Sequence, residues 1–265
     1  MNPVLSTTSL RTVATNEAIA IASRLQYAGL EIWSEHLWAR GDDPEAVGAR
    51  AAAAGLALTV HGPGRDLNVT SANPGIREES RRQYRAALED AGRLGARVVT
   101  FHPGSLSSSR DDPRDYWPPL VDFFRELTQA ASRDGIIIGV ENMEERPGEF
   151  FTDPADIARL VQDVAAPGLG LTLDIAHLLF NHKPVRLEGF EHLVRHVHLS
   201  GSTARLAHVP LGEGIYDLRP PLQALGVFYT GFVAIEGYAA GRELETVEAN
   251  RAVFERLVAG VRSGV

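Results

Sequence analysis

Short apolar runs recur along the chain at 4–10, 29–33, 56–60, 97–101, 136–140, 170–173, 194–199 and 232–235, with helical periodicity between them. Strand-like runs alternating with helical segments predict successive βα units and therefore a parallel sheet. Tyr84, Ala87, Leu88, Ala91 and Leu94 fall on one helical face ahead of Gly95, and Leu120, Phe123, Phe124, Leu127 and Ala131 on another ahead of Gly135. Asp43-Pro44-Glu45 and Asp153-Pro154 each place a capping residue before a proline suited to the first helical turn. The last helix carries Glu243, Glu245 and Glu248 early and Arg251, Arg256 and Arg262 late, which complements its dipole. Its stripe of Val247, Phe254, Leu257, Val258 and Val261 is expected to dock on the wall of the sheet.

Eight βα units in about 250 residues fit a (β/α)8 TIM barrel. An open doubly wound sheet would want a glycine-rich phosphate turn after its first strand, where this chain has Thr7-Thr8-Ser9-Leu10. With no linker, low-complexity tract or shift in composition, the reading is one α/β barrel domain spanning 1–265. The pattern is weakest after strands six and seven: 183–192 is short and proline-interrupted, and 201–217 reads as a long loop with a late helix.

Composition narrows the chemistry. The 265 residues are 44% hydrophobic and 23% charged, ordinary for a soluble globular protein, and can bury a substantial core. The absence of cysteine excludes disulfides and thiolate ligands, so any metal must sit on histidines and carboxylates. The 26 Lys and Arg against 34 Asp and Glu leave a net charge of −8 with no basic run, which disfavours nucleic acid as the main partner. The first ten residues, MNPVLSTTSL, lack a basic start and an apolar core, and no apolar run approaches bilayer length. A cytoplasmic protein is expected, with a small-molecule substrate, no membrane contact and a homodimer left open.

In a TIM barrel the carboxyl ends of all strands meet on one face, where the chemistry is done. Those ends read Glu31, His61, His102, Glu141, Asp174 with His177, His198 and Glu236, and His208 follows in the loop after strand seven. Asp174 ends the run LTLD, and a buried strand-end carboxylate is costly unless a metal or cation compensates it. It could equally cap the next helix. His61 and His102 precede glycine or proline and could bond turn backbones, and Glu141 could pair with an arginine. Of His196 and His198 only one is expected to look into the barrel, and His198, nearer the carboxyl end, is read as that one. Glu31 is read as a structural or substrate contact, His36, His182 and His192 as surface residues, and Arg65 and Asp66 as solvated. Carboxylates and imidazoles without thiols suit a divalent ion such as zinc, manganese, cobalt or magnesium.

Seven motifs in order, HGP at 61–63, FHPGS at 101–105, VEN at 140–142, LDIAH at 173–177, HVHLSG at 196–201, HVPLGEG at 208–214 and IEG at 235–237, give the chain its resemblance. It resembles the xylose isomerase-like TIM-barrel superfamily, which holds sugar and sugar-phosphate isomerases and epimerases, inosose dehydratases and apurinic/apyrimidinic endonucleases. The resemblance implies that Glu141, Asp174, His198 and Glu236 hold one divalent metal. It matches His61 and His102 to an added zinc site of the endonucleases, or to positions beside substrate in the isomerases, and His177 and His208 to ligands of the endonucleases' third zinc. The aspartate that completes that third site is replaced here by Leu206, so a full three-metal centre is not expected.

Two functions follow from the resemblance. The first is a divalent-metal-dependent isomerase or epimerase, or a related dehydratase, acting on a small sugar, keto-polyol or sugar phosphate through an enediolate. Glu141 and Glu236 would exchange the proton. The alternative is a phosphoester hydrolase of the endonuclease type, with His61, His102 and His208 as added ligands. Specificity is expected in the loops after strands one, two, three and six, with Trp33, Trp38, Asn68, Tyr116, Trp117 and Arg205 as candidates.

Overall fold

The computed structural model describes residues 1–262, with side chains described through residue 260. Eight parallel strands form a closed barrel in sequence order: β1 Asn2–Ser6, β2 Gly29–Trp33, β3 Ala57–His61, β4 Val98–Phe101, β5 Ile137–Glu141, β6 Leu169–Asp174, β7 Val194–Leu199 and β8 Phe232–Ile235. Closure comes from β8 returning to β1, where Phe232 faces Asn2 and Ile235 faces Leu5. Around it run α1 Thr15–Arg24, α2 Ser34–Arg40, α3 Pro44–Ala53, α4 Pro74–Leu94, α5 Pro113–Ala131, α6 Pro154–Val164, α7 Ile175–Phe180, α8 Arg219–Gly226 and α9 Glu243–Arg262. This is the (β/α)8 architecture the periodicity predicts. No helix among the described residues is long and apolar enough to cross a membrane.

The apolar stripes read from α4 and α5 are their buried faces. In α9, Val247 and Phe254 are buried while Leu257 and Val258 pack on the core. The side chains of Val261 and Arg262 lie outside the described residues. Asp153 caps α6 by accepting the Ala155 N–H at 2.9 Å. Asp43 precedes α3 without a cap bond, because its carboxylate is drawn 2.8 Å from the Arg93 guanidinium.

Two stretches differ from the pattern. The first apolar run divides after Ser6, whose hydroxyl accepts the Thr8 N–H at 3.4 Å and starts a 3-10 turn over Thr7–Leu10. All of 4–10 is buried, so an apolar run alone could not show where the strand ends. Segment 183–192 makes no α-helix; the short α7 follows β6 directly, and α8 comes late after a long loop.

Successive inward positions two residues apart stack the barrel interior into layers. The lower polar layer holds Glu31, Thr59, Thr100, Thr172 and His196, all buried. Gly139 makes room in it, since a Cβ there would lie 2.0 Å from Thr172 Oγ1. One step towards the carboxyl ends stand His61, Glu141, Asp174 and His198.

Candidate metal and active site

The strand register delivers the upper layer: His61 is the last residue of β3, Glu141 of β5 and Asp174 of β6, with Asp174 level with His198 on β7. Glu236 follows β8 immediately. Glu141, Asp174, His198 and Glu236 each offer a ligand atom within 4.8 Å of the others. His198 Nδ1 lies 2.8 Å from Glu141 Oε1, 3.7 Å from Glu236 Oε2 and 4.0 Å from Asp174 Oδ2.

The electrostatics of this group ask for a cation. Three buried carboxylates share one imidazole, and Glu141 Oε2, Asp174 Oδ2 and Glu236 Oε1 have no hydrogen-bond partner. Burial pushes Asp174 up to about 7, and burial also holds Glu236 well above the usual carboxylate range. Burial pushes Glu141 the same way, but the His198 charge, with the His102, His198 and His61 imidazoles close to its oxygens, outweighs it and holds Glu141 well below. Unpaired buried oxygens with one nitrogen are a donor set suited to a divalent ion, so the residues present fit the metal that the resemblance implies.

The backbone around the site is held by VEN and LDIAH. Asn142 donates to the Asp174 carbonyl and accepts the Asp174 N–H, both at 2.9 Å, which locks the end of β5 to the end of β6. Asp174 Oδ1 accepts the His177 N–H at 2.7 Å and so caps α7 while Oδ2 stays free. The helix cap and the unpaired donor atom therefore fall on one side chain.

Two further donor groups adjoin the first. His61 and His102 place their Nε2 atoms 3.3 and 3.2 Å from Glu141 Oε2. The His61 Nδ1–H donates to the Gly62 carbonyl at 2.7 Å, leaving Nε2 bare towards the site. His177 likewise donates from Nδ1 to the Asn142 carbonyl at 2.7 Å, and its Nε2 meets His208 Nε2 at 2.9 Å. Glu144 Oε1 stands 3.8 and 3.9 Å from those two Nε2 atoms, completing a second group that could hold an ion. His208 takes a left-handed φ of 59°, uncommon for a residue with a side chain.

A cavity of about 170 Å³ opens over these residues. Its walls include Glu141 and Glu236 but neither Asp174 nor His198, which are wholly buried. Trp33 stacks on His61 with ring centroids 4.1 Å apart and forms one side.

The sequence profile described as xylose isomerase-like TIM barrel matches residues 19–257. The chain belongs to this family. Among curated proteins it is 29% identical to an uncharacterized protein, MJ1311, of Methanocaldococcus jannaschii over 189 residues, taking in 68% of this chain and 64% of that protein. A second uncharacterized protein of that organism, MJ1188, is 27% identical over 180 residues, taking in 68% of this chain and 66% of that protein. The chain thus spans just under two thirds of the length of these relatives. The fold is similar to that of a D-tagatose 3-epimerase-like protein, with TM-score 0.85, 22% identity and coverage of 100% of this chain and 99% of that one. It is also similar to 3-keto-D-glucoside 4-epimerase, YcjR, from E. coli, with TM-score 0.81, 19% identity and coverage of 98% and 99%. At these identities the likeness is one of fold.

Several expectations are corrected. His196 and His198 both point into the barrel, because residues two apart on a strand share a face; His196 bonds Glu31 at 2.7 Å in the layer below. Glu31 is not at a strand end but third of five residues in β2, fully buried and away from the cavity. His36 is buried rather than superficial, because α2 folds it against Thr7 Oγ1 at 3.2 Å; burial, then Arg40, Arg65 and Arg11, lower it to about 4. His182, His192, Arg65 and Asp66 are exposed, as read. The premise that Leu206 leaves His177 and His208 without a carboxylate does not hold, since Leu206 is exposed and Glu144 takes that place.

Of the specificity candidates only Trp33 lines the cavity. Trp38 donates to Asp90 and Trp117 to Asp163, each bracing two outer helices. Asn68 and Tyr116 bond to the 105–107 turn, and Arg205 is exposed. The wall was missed at Met143, Glu144, Arg146 and Glu149, all in the segment after β5. The charged string directly after VEN was the available signal.

Proposed function

We propose that the chain is a divalent-metal-dependent epimerase or isomerase of a small keto-sugar or polyol, exchanging a proton on the carbon beside a carbonyl. The observation that carries this reading is the division of the four donors: Glu141 and Glu236 reach the cavity, while Asp174 and His198 lie beneath it. A divalent ion on these donors supplies Lewis-acid polarisation of a substrate oxygen. Glu141 and Glu236, on β5 and just after β8, then serve as proton acceptor and donor on different sides of a bound sugar. His177 and His102 stand at the wall to bond hydroxyls. Arg146 at the mouth suits a phosphorylated substrate, and loss of hydroxide after the same proton abstraction would make the reaction a dehydration. The similar folds named as sugar epimerases support the reading.

The experiment is to incubate metal-loaded protein in heavy water with ketoses, inososes and sugar phosphates. Deuterium is expected on the carbon next to the carbonyl, and Glu236→Gln is expected to abolish the exchange. A second reading, a metal-dependent phosphoester hydrolase, is favoured by the added donor groups at His61–His102–Glu141 and Glu144–His177–His208. Cleavage of abasic-site DNA or simple phosphodiesters, with no carbon exchange on any sugar, would overturn the first reading in its favour.

A further inference from the structure

The layer beneath the four donors contains a fully buried carboxylate for which the proposed reaction has no use. Glu31 reaches from β2 to β7, where its Oε2 accepts His196 Nε2–H at 2.7 Å and the Thr59 hydroxyl at 3.1 Å. The same oxygen is 3.4 Å from His198 Nε2, a nitrogen with no hydrogen-bond partner. Glu31, His196 and His198 are each 0% exposed. The ion pairs of Glu31 are with these two imidazoles alone among the described residues. A carboxylate removed from water this completely is costly unless a positive or strongly polarised partner faces it.

We infer that Glu31, held by His196 and Thr59, is a positioning residue that fixes His198 with Nδ1 towards the upper carboxylates and Nε2–H towards Glu31. The inference rests on the proposed metal site. The geometry of His198 supports it from both ends. Its Nδ1 faces Glu141, Glu236 and Asp174 within 4.0 Å, and among the carboxylates of the described residues its Nε2 pairs with Glu31. The ring has little freedom to flip: it stacks on His61 at a centroid distance of 5.5 Å and meets His196 edge-on at 5.1 Å. A ligand nitrogen must offer its lone pair, so the single proton of a neutral ring belongs on the other nitrogen. A carboxylate accepting that proton orients the ring and raises the basicity of the ligand nitrogen. The pairing of Thr172 with His196 and of Asp174 with His198 places the lower imidazole one inward step below the upper one, so β7 supplies both ligand and brace.

The test uses the full chain with Co²⁺ and Zn²⁺ as probes. Glu31→Gln keeps the shape and removes the charge. Its Co²⁺ affinity, read by calorimetry and by visible absorption, is expected to fall about 10- to 100-fold, while far-UV circular dichroism stays that of the wild type. Should Glu31→Gln fail to fold, the wild type decides. A long-range ¹H–¹⁵N spectrum of the Zn²⁺-loaded protein is expected to show His198 protonated on Nε2 and metal-shifted on Nδ1. A metal shift on Nε2, or a Glu31→Gln protein that binds Co²⁺ as tightly as the wild type, overturns the inference while leaving the metal site standing. A wild type that takes up neither ion overturns both.

Discussion

The two polar layers of the barrel interior use the same residue types and behave differently. Below, Glu31 and His196 are joined at 2.7 Å, with Thr59 closing on the same oxygen. Above, three carboxylates crowd one imidazole, and each leaves an oxygen without a hydrogen bond. The lower layer holds one carboxylate between two imidazoles and leaves Glu31 Oε1 and His196 Nδ1 without a hydrogen-bond partner. The upper layer instead sets three carboxylates around one imidazole, each with an oxygen left over, under the cavity. A buried carboxylate beside a histidine is therefore not in itself a site. What marks a site is convergence of several such groups, with donor atoms left over, beneath an opening.

The largest effect expected from this contrast is at Asp174. Replacing it by Ala removes a ligand oxygen and the α7 cap together, so Asp174→Asn is the cleaner variant, keeping an acceptor for the His177 N–H. Bound Mn²⁺ is expected to fall by about 100-fold or more in affinity, exceeding the loss for an outer contact, with the fold retained. Elemental analysis showing undiminished metal in Asp174→Asn would mean that the upper layer is only a costly structural cluster.

Proton competition gives the next effect. Burial raises Asp174 from 3.8 to about 7. At Asp174 the metal-free folded state then holds a proton that the unfolded chain has released between these values. The contribution of Asp174 to stability is full below pH 3.8 and is lost as pH rises through about 7. Glu236, also raised by burial, acts with the same sign. An ion must displace these protons, so Mn²⁺ affinity is expected to rise about tenfold per pH unit for each displaced proton up to that point. The lowered His36, His177, His196 and His208 act with the opposite sign up to pH 6.5, so thermal unfolding from pH 5 to 8 is compared with that of Asp174→Asn. The metal-free wild type should lose stability relative to the variant as pH rises, and Mn²⁺ should remove that relative decline. A metal-free wild type that gains stability relative to Asp174→Asn over this range would contradict the upper-layer electrostatics.

Much of this was legible in the sequence. Alternation and helix stripes give the barrel, and a barrel brings strand ends such as Glu141, Asp174 and Glu236 to one mouth whatever their separation in the chain. What was not legible depends on depth and on loop paths. Glu31 looks like a strand-end carboxylate until the register shows two more strand residues beyond it. Glu144 sits in a loop without periodicity, so only the folded path reveals that it meets His177 and His208. The inward direction of His196 could have been read correctly, because period two puts it on the face of His198.

Glu144 offers a smaller test of the same contrast. If the Glu144–His177–His208 group belongs with the upper layer, wild type should bind a second Zn²⁺ more weakly than the first. Glu144→Gln should lower that second step about tenfold, two imidazoles being a poorer site than two with a carboxylate. A stoichiometry of one ion in both proteins by calorimetric titration would return Glu144 to the cavity wall and remove the support for the hydrolase reading.

The smallest expected effect belongs to Thr59, in the lower layer alone. Its hydroxyl donates to Glu31 Oε2 at 3.1 Å, and Thr59→Val deletes that donor with little change of shape. Leaving the buried acceptor less well satisfied costs about 1–3 kcal/mol of stability, which differential scanning calorimetry would read as a drop of a few degrees. His196 still holds the carboxylate at 2.7 Å, so Glu31 stays in place under His198. Co²⁺ affinity should therefore change by less than about threefold, well short of the loss expected for Glu31→Gln. If Thr59→Val loses metal as strongly as Glu31→Gln, His196 is not enough to hold the brace, and stability and metal binding cannot be assigned to separate layers.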